Sequence, residues 1–271
     1  MCSKIVLTIA GSDTSAGAGI QQDLKTITAL GQYGATVITA ITAQNTLGVQ
    51  GVLPVTGEMV AKQICSVMDD LDVKAVKIGM IPNLDVAKAI VETLFIYINK
   101  ENAIAKNREG GKEKEKGRAE ARPLCIVWDP VMISTSGTRL MAEDCIAYLQ
   151  EHLAPLCTLI TPNLPESALF LPPYRANMLI KGGHAEGDAM TDTLIMLDGT
   201  QYEFTEQRIV TKNLHGTGCT LSSAIASYLA MGMALPEAVE KGKGYLTEAI
   251  RLGKNSDIGH GNGPLGIAAV S

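Results

Sequence analysis

Short apolar runs and stretches of helical periodicity alternate along most of the chain. Each run is short enough for a buried β-strand, and several intervening stretches carry apolar residues three or four positions apart, as on one face of an α-helix. The predicted strands are Lys4–Ala10, Thr36–Thr42, Ala75–Ile81, Cys125–Trp128, Leu156–Thr161 and Met178–Lys181. This alternation predicts strand–helix–strand units, in which right-handed crossovers join parallel strands.

Helices and one hairpin complete the pattern. The predicted helices are one along Ile20, Leu24 and Ile27 that ends at Gly31, one beginning at Pro82-Asn83, Thr217–Ala230 and Pro236–Arg251. Thr193–Leu197 and Gln201–Phe204 form a hairpin around Asp198-Gly199. We therefore expect one α/β domain over residues 1–271, with a mostly parallel central sheet and helices on both faces.

One segment departs from this pattern. Residues 106–122 contain seven basic and four acidic side chains, two adjacent glycines and no apolar periodicity. This composition predicts a flexible, charged surface insertion between a helix and a strand. A basic arm that binds a partner is the alternative, although a run of mixed sign is more typical of a solvated segment.

Charge and cysteine content narrow the function classes. The net charge is −5 and the isoelectric point about 5.4, so nucleic acid and anionic membranes are not expected partners. The six cysteines include no Cys-x-x-Cys pair, so neither a disulfide framework nor a zinc site is indicated. This pattern predicts a reduced compartment, the cytoplasm.

The stretch from His215 to Thr220 reads His-Gly-Thr-Gly-Cys-Thr and opens a predicted helix. Gly216 and Gly218, on either side of Thr217, let the backbone turn sharply at the positive end of the helix dipole, which is a site for an anion. Cys219 lies in the first helical turn, where a thiolate is stabilised. Together these features suggest phosphoryl transfer to an alcohol. A glycine-rich turn before an ordinary core helix is the alternative.

Polar and glycine residues follow several predicted strands, at the edge where ligands bind in open parallel sheets. The loop from Gly11 to Gly19 has neither the Walker A nor the Rossmann glycine spacing, and a plain strand–helix loop is its alternative. The amide of Gln44 offers a donor and an acceptor to a heterocycle, or it caps a turn. Met80 is either a polarizable pocket wall or a core residue.

Carboxylates and a lysine follow neighbouring strands. Asp129 and Glu166 could serve Mg²⁺ directly or through water, because Mg²⁺ takes one or two carboxylates along with water and substrate phosphates. Lys181 lies at the same predicted edge and suits a nucleotide phosphate. An Asp before Pro is also a common turn residue, so a purely structural role for Asp129 stays open. The four histidines have no metal-ligand spacing.

These pieces together resemble a known family. The stretches that carry the resemblance are Thr8–Asp13, Ala18–Lys25, Thr42–Thr46, Lys77–Met80, Thr161–Glu166, Lys181–His184, His215–Ser222 and Gly259–Pro264. In this order they resemble the bacterial hydroxymethylpyrimidine and phosphomethylpyrimidine kinases of thiamin biosynthesis, within the ribokinase-like superfamily. The resemblance covers nearly the whole chain and implies a ribokinase-like fold.

The resemblance also implies an activity and a site. The activity is phosphorylation of 4-amino-5-hydroxymethyl-2-methylpyrimidine and then of its monophosphate, with ATP as donor and Mg²⁺, in a cytoplasmic homodimer. The implied substrate contacts are Gly11, Asp13, Ala18, Gln44, Met80 and Cys219. The implied catalytic anion hole is Gly216, Thr217, Gly218 and Cys219. The implied ATP contacts are Asp129, Asn163, Glu166, Lys181, Thr211 and Gly218, with Asp129 and Glu166 at Mg²⁺.

Two departures from the family pattern keep alternatives open. The charged stretch at 106–122 looks like an insertion away from the site. Only Ser167–Ile180 stands where the family has a full crossover helix and a further loop. A pyridoxal or pyridoxine kinase of the same superfamily is one alternative, because that ring also carries a hydroxymethyl group. A catalytically silent ligand-binding relative is the other, and the shortened segment is its only support.

Overall fold

The computed structural model describes residues 3–109, 124–132, 140–184 and 189–268. Within these ranges one sheet contains nine strands: β1 (Ile5–Asp13), β2 (Tyr33–Asn45), β3 (Gly48–Pro54), β4 (Val73–Ile78), β5 (Cys125–Trp128), β6 (Leu159–Ile160), β7 (Asn177–Ile180), β8 (Ala189–Ile195) and β9 (Gln201–Gln207). The α-helices of the same ranges are α1 (Gly19–Ala29), α2 (Gly57–Met68), α3 (Leu84–Glu109), α4 (Glu143–His152), α5 (Leu164–Ser167), α6 (Thr217–Ala230) and α7 (Leu235–Gly253).

The strand order in the sheet is β3-β2-β1-β4-β5-β6-β7-β8-β9. The strands from β2 to β7 in this order are parallel to their neighbours. β3 runs antiparallel to β2 at one edge, and the β8–β9 hairpin runs antiparallel to β7 at the other. The mostly parallel sheet and the hairpin confirm the predicted fold class.

Helices cover both faces of this sheet. Along β1, Leu7 and Ile9 pack into a core with α2, α3 and α4, whereas Val6 packs into a second core with α1, α6 and α7. Successive side chains of a strand point to opposite faces, so a strand between two layers is apolar throughout. β4 repeats the arrangement, with Ala75 and Val76 in different cores. None of the described helices is long and apolar enough to cross a bilayer.

The described elements without a counterpart in the sequence prediction include β3, α2 and α4. β3 is largely exposed and is held to β2 mainly through the backbone ladder, so its side chains carry little apolar signal. α2 buries only a narrow stripe at Gly57, Val60 and Ile64, and Thr56 caps its first turn. α4 begins with a polar turn, so its few buried side chains give no clear helical pattern in the sequence.

The two segments that depart from the family pattern differ in outcome. α3 continues to Glu109, so the predicted loop is wrong for residues 106–109, where lysine, arginine and glutamate extend the helix as good helix formers. Residues 110–122 of the predicted insertion lie outside the described residues. Between β6 and β7 the only α-helix is the four-residue α5, which confirms a short crossover.

Candidate active site

The amino end of α6 lies against the carboxyl ends of the central strands. Gly216 precedes the helix with a φ of +89°, and a Cβ at this position would overlap the carbonyl oxygen of Gly17. A Cβ at Gly218 would lie 2.8 Å from Oδ2 of Asp129. Glycine is therefore required at both positions for the helix to approach the β1–α1 loop and the end of β5.

The same helix end has the properties of an anion site. Gly216 is the N-cap residue of this 14-residue helix, and no side chain caps the first turn. An anion can therefore take the capping position. Gly11 and Met80, both predicted substrate contacts, are neighbours, since a Cβ at Gly11 would lie 2.9 Å from Sδ of Met80. Met80 is almost fully buried, as expected of a core residue, and its role as a wall of the substrate pocket stays a prediction.

Asp13 holds the β1–α1 loop together. Its Oδ2 accepts hydrogen bonds from the backbone N–H groups of Gly17 (3.1 Å) and Ala18 (2.8 Å), and its Oδ1 accepts from Ser15. Nε2 of His215 lies 2.8 Å from the same Oδ2. Burial acts to raise the pKa of Asp13, but the hydrogen bonds from His215, Ser15 and Ala18 outweigh it and hold the pKa below its usual value. Asp13 thus positions the loop and His215, and its predicted contact with the substrate stays a prediction.

This environment predicts a pH-dependent contribution to stability. A lowered pKa in the folded state stabilises the protein above about pH 4, and the contribution is lost as the pH falls through the folded-state pKa. Asp13→Asn should reduce the free energy of unfolding by roughly 1.5–3 kcal/mol at pH 7 and flatten its decline in acid, as measured by urea titration at several pH values. Asp72→Asn, at an exposed carboxylate, is the control. Equal curves for Asp13→Asn and wild type would contradict the assignment.

Cys219 lies in the first turn of α6, as predicted, but its ionisation differs from the prediction. Burial raises the pKa of the thiol to about 11, the Lys77 cation lowers it in part, and the carboxylates of Asp23 and Asp129 raise it further. The prediction of a stabilised thiolate is therefore wrong, because desolvation and the nearby carboxylates outweigh the favourable field at the helix end. At pH 7 the Cys219 thiol is therefore neutral, and its predicted role in catalysis stays a prediction.

A buried ion pair near Cys219 was not predicted from the sequence. Nζ of Lys77 lies 2.8 and 2.9 Å from the two carboxylate oxygens of Asp23, and both side chains are fully buried. Thr8 (2.6 Å) and Ser223 of α6 (2.8 Å) also donate to this carboxylate. Burial acts to lower the pKa of Lys77, but the Asp23 carboxylate outweighs it and raises the pKa. The only sequence signal was a lysine in the middle of an apolar strand.

Asp129 and Lys181 form a second ion pair at the edge of the sheet. Nζ of Lys181 lies 2.7 Å from Oδ1 of Asp129, and the hydroxyl of Thr161 donates to the same oxygen over 3.2 Å. Burial acts to lower the pKa of Lys181, but the carboxylates of Asp129 and Glu166 outweigh it and raise the pKa. The structure therefore brings together the predicted carboxylate, the predicted lysine and the end of α6.

Glu166 and Asn163 form a capping box at α5. Asn163 Oδ1 accepts from the backbone N–H of Glu166, and Oε2 of Glu166 accepts from the backbone N–H of Asn163, both over 2.9 Å. The second Glu166 oxygen accepts from the backbone N–H of Met132 over 3.4 Å. Burial raises the pKa of Glu166, and the nearby Asp129 adds to the rise, although Lys181 and the two backbone N–H donors oppose it.

Asp129 and Glu166 are the residues predicted to bind Mg²⁺. Within the described ranges no three His, Cys, Asp or Glu side chains lie close enough to hold a metal ion. Backbone N–H groups already occupy both oxygens of Glu166, whereas Oδ2 of Asp129 faces the first turn of α6. Such a donor set fits an ion that keeps most of its ligands as water and phosphate, as Mg²⁺ does.

Thr211 braces the segment before α6. Its hydroxyl donates to the carbonyl of Lys254 (2.9 Å) and accepts from the backbone N–H of Asn213 (3.1 Å). Asn213, which sequence reasoning missed, is buried, and its amide bonds the carbonyls of Gly253 and Ser256 and the N–H of Gly263. The predicted contact of Thr211 with the nucleotide stays a prediction.

The chain matches a sequence model of the phosphomethylpyrimidine kinase family over residues 13–105, 115–177 and 173–266. The match is interrupted within the charged segment, and its last two parts meet at the short connection between β6 and β7. Among curated proteins, the hydroxymethylpyrimidine/phosphomethylpyrimidine kinase of Rhizobium meliloti (strain 1021) is 44% identical over 283 residues, which covers 97% of this chain and 96% of that protein.

Solved structures give the same fold for two activities. A phosphomethylpyrimidine kinase from Clostridium difficile 630 has a TM-score of 0.72 and 39% identity, covering 92% of this chain and 100% of that one. A pyridoxal kinase from Staphylococcus aureus, in complex with AMP-PCP and pyridoxal, has a TM-score of 0.78 and 27% identity, covering 99% of this chain and 95% of that one. Backbone likeness therefore does not separate the two activities, whereas sequence identity favours the pyrimidine kinase.

Proposed function

Because the chain belongs to the hydroxymethylpyrimidine/phosphomethylpyrimidine kinase family, we propose that it phosphorylates both pyrimidines at the amino end of α6. The observation that carries this proposal is the uncapped, glycine-bounded helix end, which lies against Asp129 on one side and the β1–α1 loop on the other. Preorganised N–H donors aimed at a transferring phosphoryl group are the main catalytic device in this chemistry.

The two reactions use different acceptors. In the first, the oxygen of the hydroxymethyl group bonds to the γ-phosphorus of ATP, the bond to the ADP oxygen breaks, and a proton leaves the hydroxyl. In the second, a phosphate oxygen of the monophosphate is the acceptor, and no alcohol proton has to leave. Lys181 and Asp129 form an ion pair beside the first turn of α6, which supports their proposed contact with the donor phosphates. Mg²⁺, held by Asp129 and, through water, by Glu166, would neutralise phosphate charge.

Cys219 is the group proposed to take the alcohol proton. Its thiol is neutral at pH 7, so the small thiolate fraction has to accept that proton as the new bond to phosphorus forms. The buried Lys77 cation favours the thiolate form and offsets part of the desolvation. Asp23 accepts hydrogen bonds from both Lys77 of β4 and Ser223 of α6, so the Lys77–Asp23 pair also fixes α6 relative to β4.

A substrate panel tests this function. The hydroxymethylpyrimidine, its monophosphate, pyridoxal and pyridoxine are each supplied with ATP and Mg²⁺, ADP release is followed, and products are weighed by mass spectrometry. We expect successive mono- and diphosphates of the pyrimidine and much slower turnover of the pyridines. Faster turnover of pyridoxal would favour the second candidate, which the likeness to the Staphylococcus aureus enzyme supports. Pyrimidine binding without ADP release would indicate a silent relative.

Gln44 is the proposed contact for the aminopyrimidine edge, at the end of β2 and half-buried. Gln44→Leu should leave polar substrate atoms unpaired and weaken pyrimidine binding by roughly 1–3 kcal/mol, with little change in the KM for ATP. Gln50→Leu on the exposed β3 is a matched control, because among the described residues that amide bonds only its near neighbours Asn45 and Gly48. Equal losses for pyrimidine and ATP would indicate a structural role for Gln44.

Two further expectations belong to the proposal. A homodimer is supported by exposed apolar side chains on the β2–β3 edge, where Ile41 and Leu53 are cross-strand partners. Sedimentation of an Ile41→Lys/Leu53→Lys variant as a monomer, beside a dimeric wild type, would support this interface. A cytoplasmic location is supported by six cysteines that show no Cys-x-x-Cys spacing.

A further inference from the structure

The amide of Gln44 lies between two polar groups that restrict its orientation. Its Nε2 lies 3.3 Å from Nε2 of His215, and its Oε1 lies 3.2 Å from the hydroxyl of Thr42. A half-turn about the last side-chain torsion exchanges the amide nitrogen and oxygen at almost no steric cost. Hydrogen bonding therefore decides which end faces His215.

The proton on His215 is fixed by Asp13. Oδ2 of Asp13 lies 2.8 Å from Nε2 of His215 and already accepts from the N–H groups of Gly17 and Ala18. A carboxylate has no proton to donate, so the bond requires a hydrogen on Nε2 of His215. The lowered pKa of Asp13 keeps this carboxylate ionised at neutral pH. With Nε2 of Gln44 facing this ring N–H, two donors oppose each other.

The hydroxyl of Thr42 indicates independently that the two ends of the Gln44 amide should be exchanged. It has one proton, and the carbonyl oxygen of Ser12 lies 2.8 Å from Thr42 Oγ1, nearer than Oε1 of Gln44. Once that proton is given to Ser12, the hydroxyl can only accept from Gln44. Exchanging the two ends of the amide removes the opposition of donors: the single Nε2–H of His215 points to Asp13 and is shared with Oε1 of Gln44, and Nε2 of Gln44 donates to Thr42.

We propose that Asp13 and His215 fix the amide of Gln44 in this exchanged orientation and thereby determine which heterocycle edge the site accepts. The proposal rests on the proposed contact between Gln44 and the substrate. The 4-aminopyrimidine edge presents an N–H donor beside a ring-nitrogen acceptor. In the 4-oxo analogue the exocyclic group is an acceptor and the ring nitrogen carries a hydrogen. A freely turning amide can match either edge, whereas a fixed amide matches only one.

The test compares kcat/KM for 4-amino-5-hydroxymethyl-2-methylpyrimidine and its 4-oxo analogue in wild type, His215→Leu and His215→Gln. Wild type should prefer the amino compound. His215→Leu removes the ring donor, so the preference should fall by roughly tenfold or more, with the KM for ATP unchanged. His215→Gln returns an amide donor close to the position of Nε2, so the preference should stay within about threefold of wild type.

An unchanged preference in His215→Leu, with both substrates slowed alike, would overturn the proposal and leave His215 a structural role. If His215→Leu does not fold, His215→Asn takes its place, because its shorter amide does not reach Gln44, and an unchanged preference there would overturn the proposal equally. Gln44→Leu separates this inference from its premise. If that variant turns over the pyrimidine as wild type does, the contact of Gln44 with substrate fails and this inference fails with it. If Gln44→Leu is impaired but the His215 variants keep the preference, only this inference fails.

Discussion

Replacing Cys219 with alanine should slow phosphorylation of the free pyrimidine by about 10²–10⁴-fold, the usual contribution of a general base. The second phosphorylation should fall much less, because its acceptor is already an anion. Mg·ATP should bind to the variant as it does to wild type. The two steps are measured separately, by supplying either the hydroxymethylpyrimidine or its monophosphate and quantifying the products by mass.

The pH dependence sharpens this test. Since the pKa of Cys219 is raised to about 11, the thiolate fraction grows about tenfold per pH unit over the neutral range, and the first step should accelerate as the pH rises. Cys219→Asp supplies a base that is already ionised, so partial activity should return with a flatter profile. Cys157→Ala, at a buried cysteine outside the site, is the control. First-step turnover near wild type in Cys219→Ala would remove Cys219 from the mechanism.

Replacing Gly216 with alanine should impair both phosphorylations together. The residue has a φ of +89°, which strains any other residue by roughly 1–2 kcal/mol, and the added Cβ would overlap the carbonyl of Gly17. Relief of the overlap has to move the end of α6 or the β1–α1 loop, and a misplacement of about 1 Å costs roughly 10²-fold in rate. We expect at least that loss in kcat for both acceptors.

Gly199 is the matched control for this variant. It has a φ of +87° in the β8–β9 turn, but a Cβ there would meet no atom within 4 Å. Gly199→Ala therefore introduces the same backbone strain without the overlap, and it should lower stability while leaving kcat unchanged. Comparable activity losses in the two variants would show that strain alone, rather than the close approach of α6, explains the effect.

The fold could be predicted where burial on both sheet faces makes a strand apolar throughout. β1, β4 and β5 read directly as apolar runs, and the glycine-rich turn located the start of α6. β3 could not be found this way, because it lies at the edge of the sheet and most of its side chains face solvent. For such a strand the backbone ladder supplies the pairing, and the ladder leaves no trace in side-chain hydrophobicity.

The site residues also form two groups, those that a local sequence motif shows and those that only the fold brings together. Gly216, Gly218 and Cys219 belong to one contiguous motif, so sequence alone brought them together. The pairs Lys77–Asp23 and His215–Asp13 are 54 and 202 residues apart, and only the folded chain joins them. The ionisation of Cys219 was mispredicted for the same reason. The helix end is visible in the sequence, whereas the desolvation and the carboxylates that raise the pKa come from distant segments.

The central claim is that one site at the amino end of α6 performs both phosphorylations. Mutual inhibition of the two substrates tests it most directly. If both acceptors use this site, the monophosphate should inhibit phosphorylation of the free pyrimidine competitively, with an inhibition constant equal to its own KM in the second reaction when binding is rapid. Simultaneous turnover of both pyrimidines without mutual inhibition would show two independent sites and contradict the account.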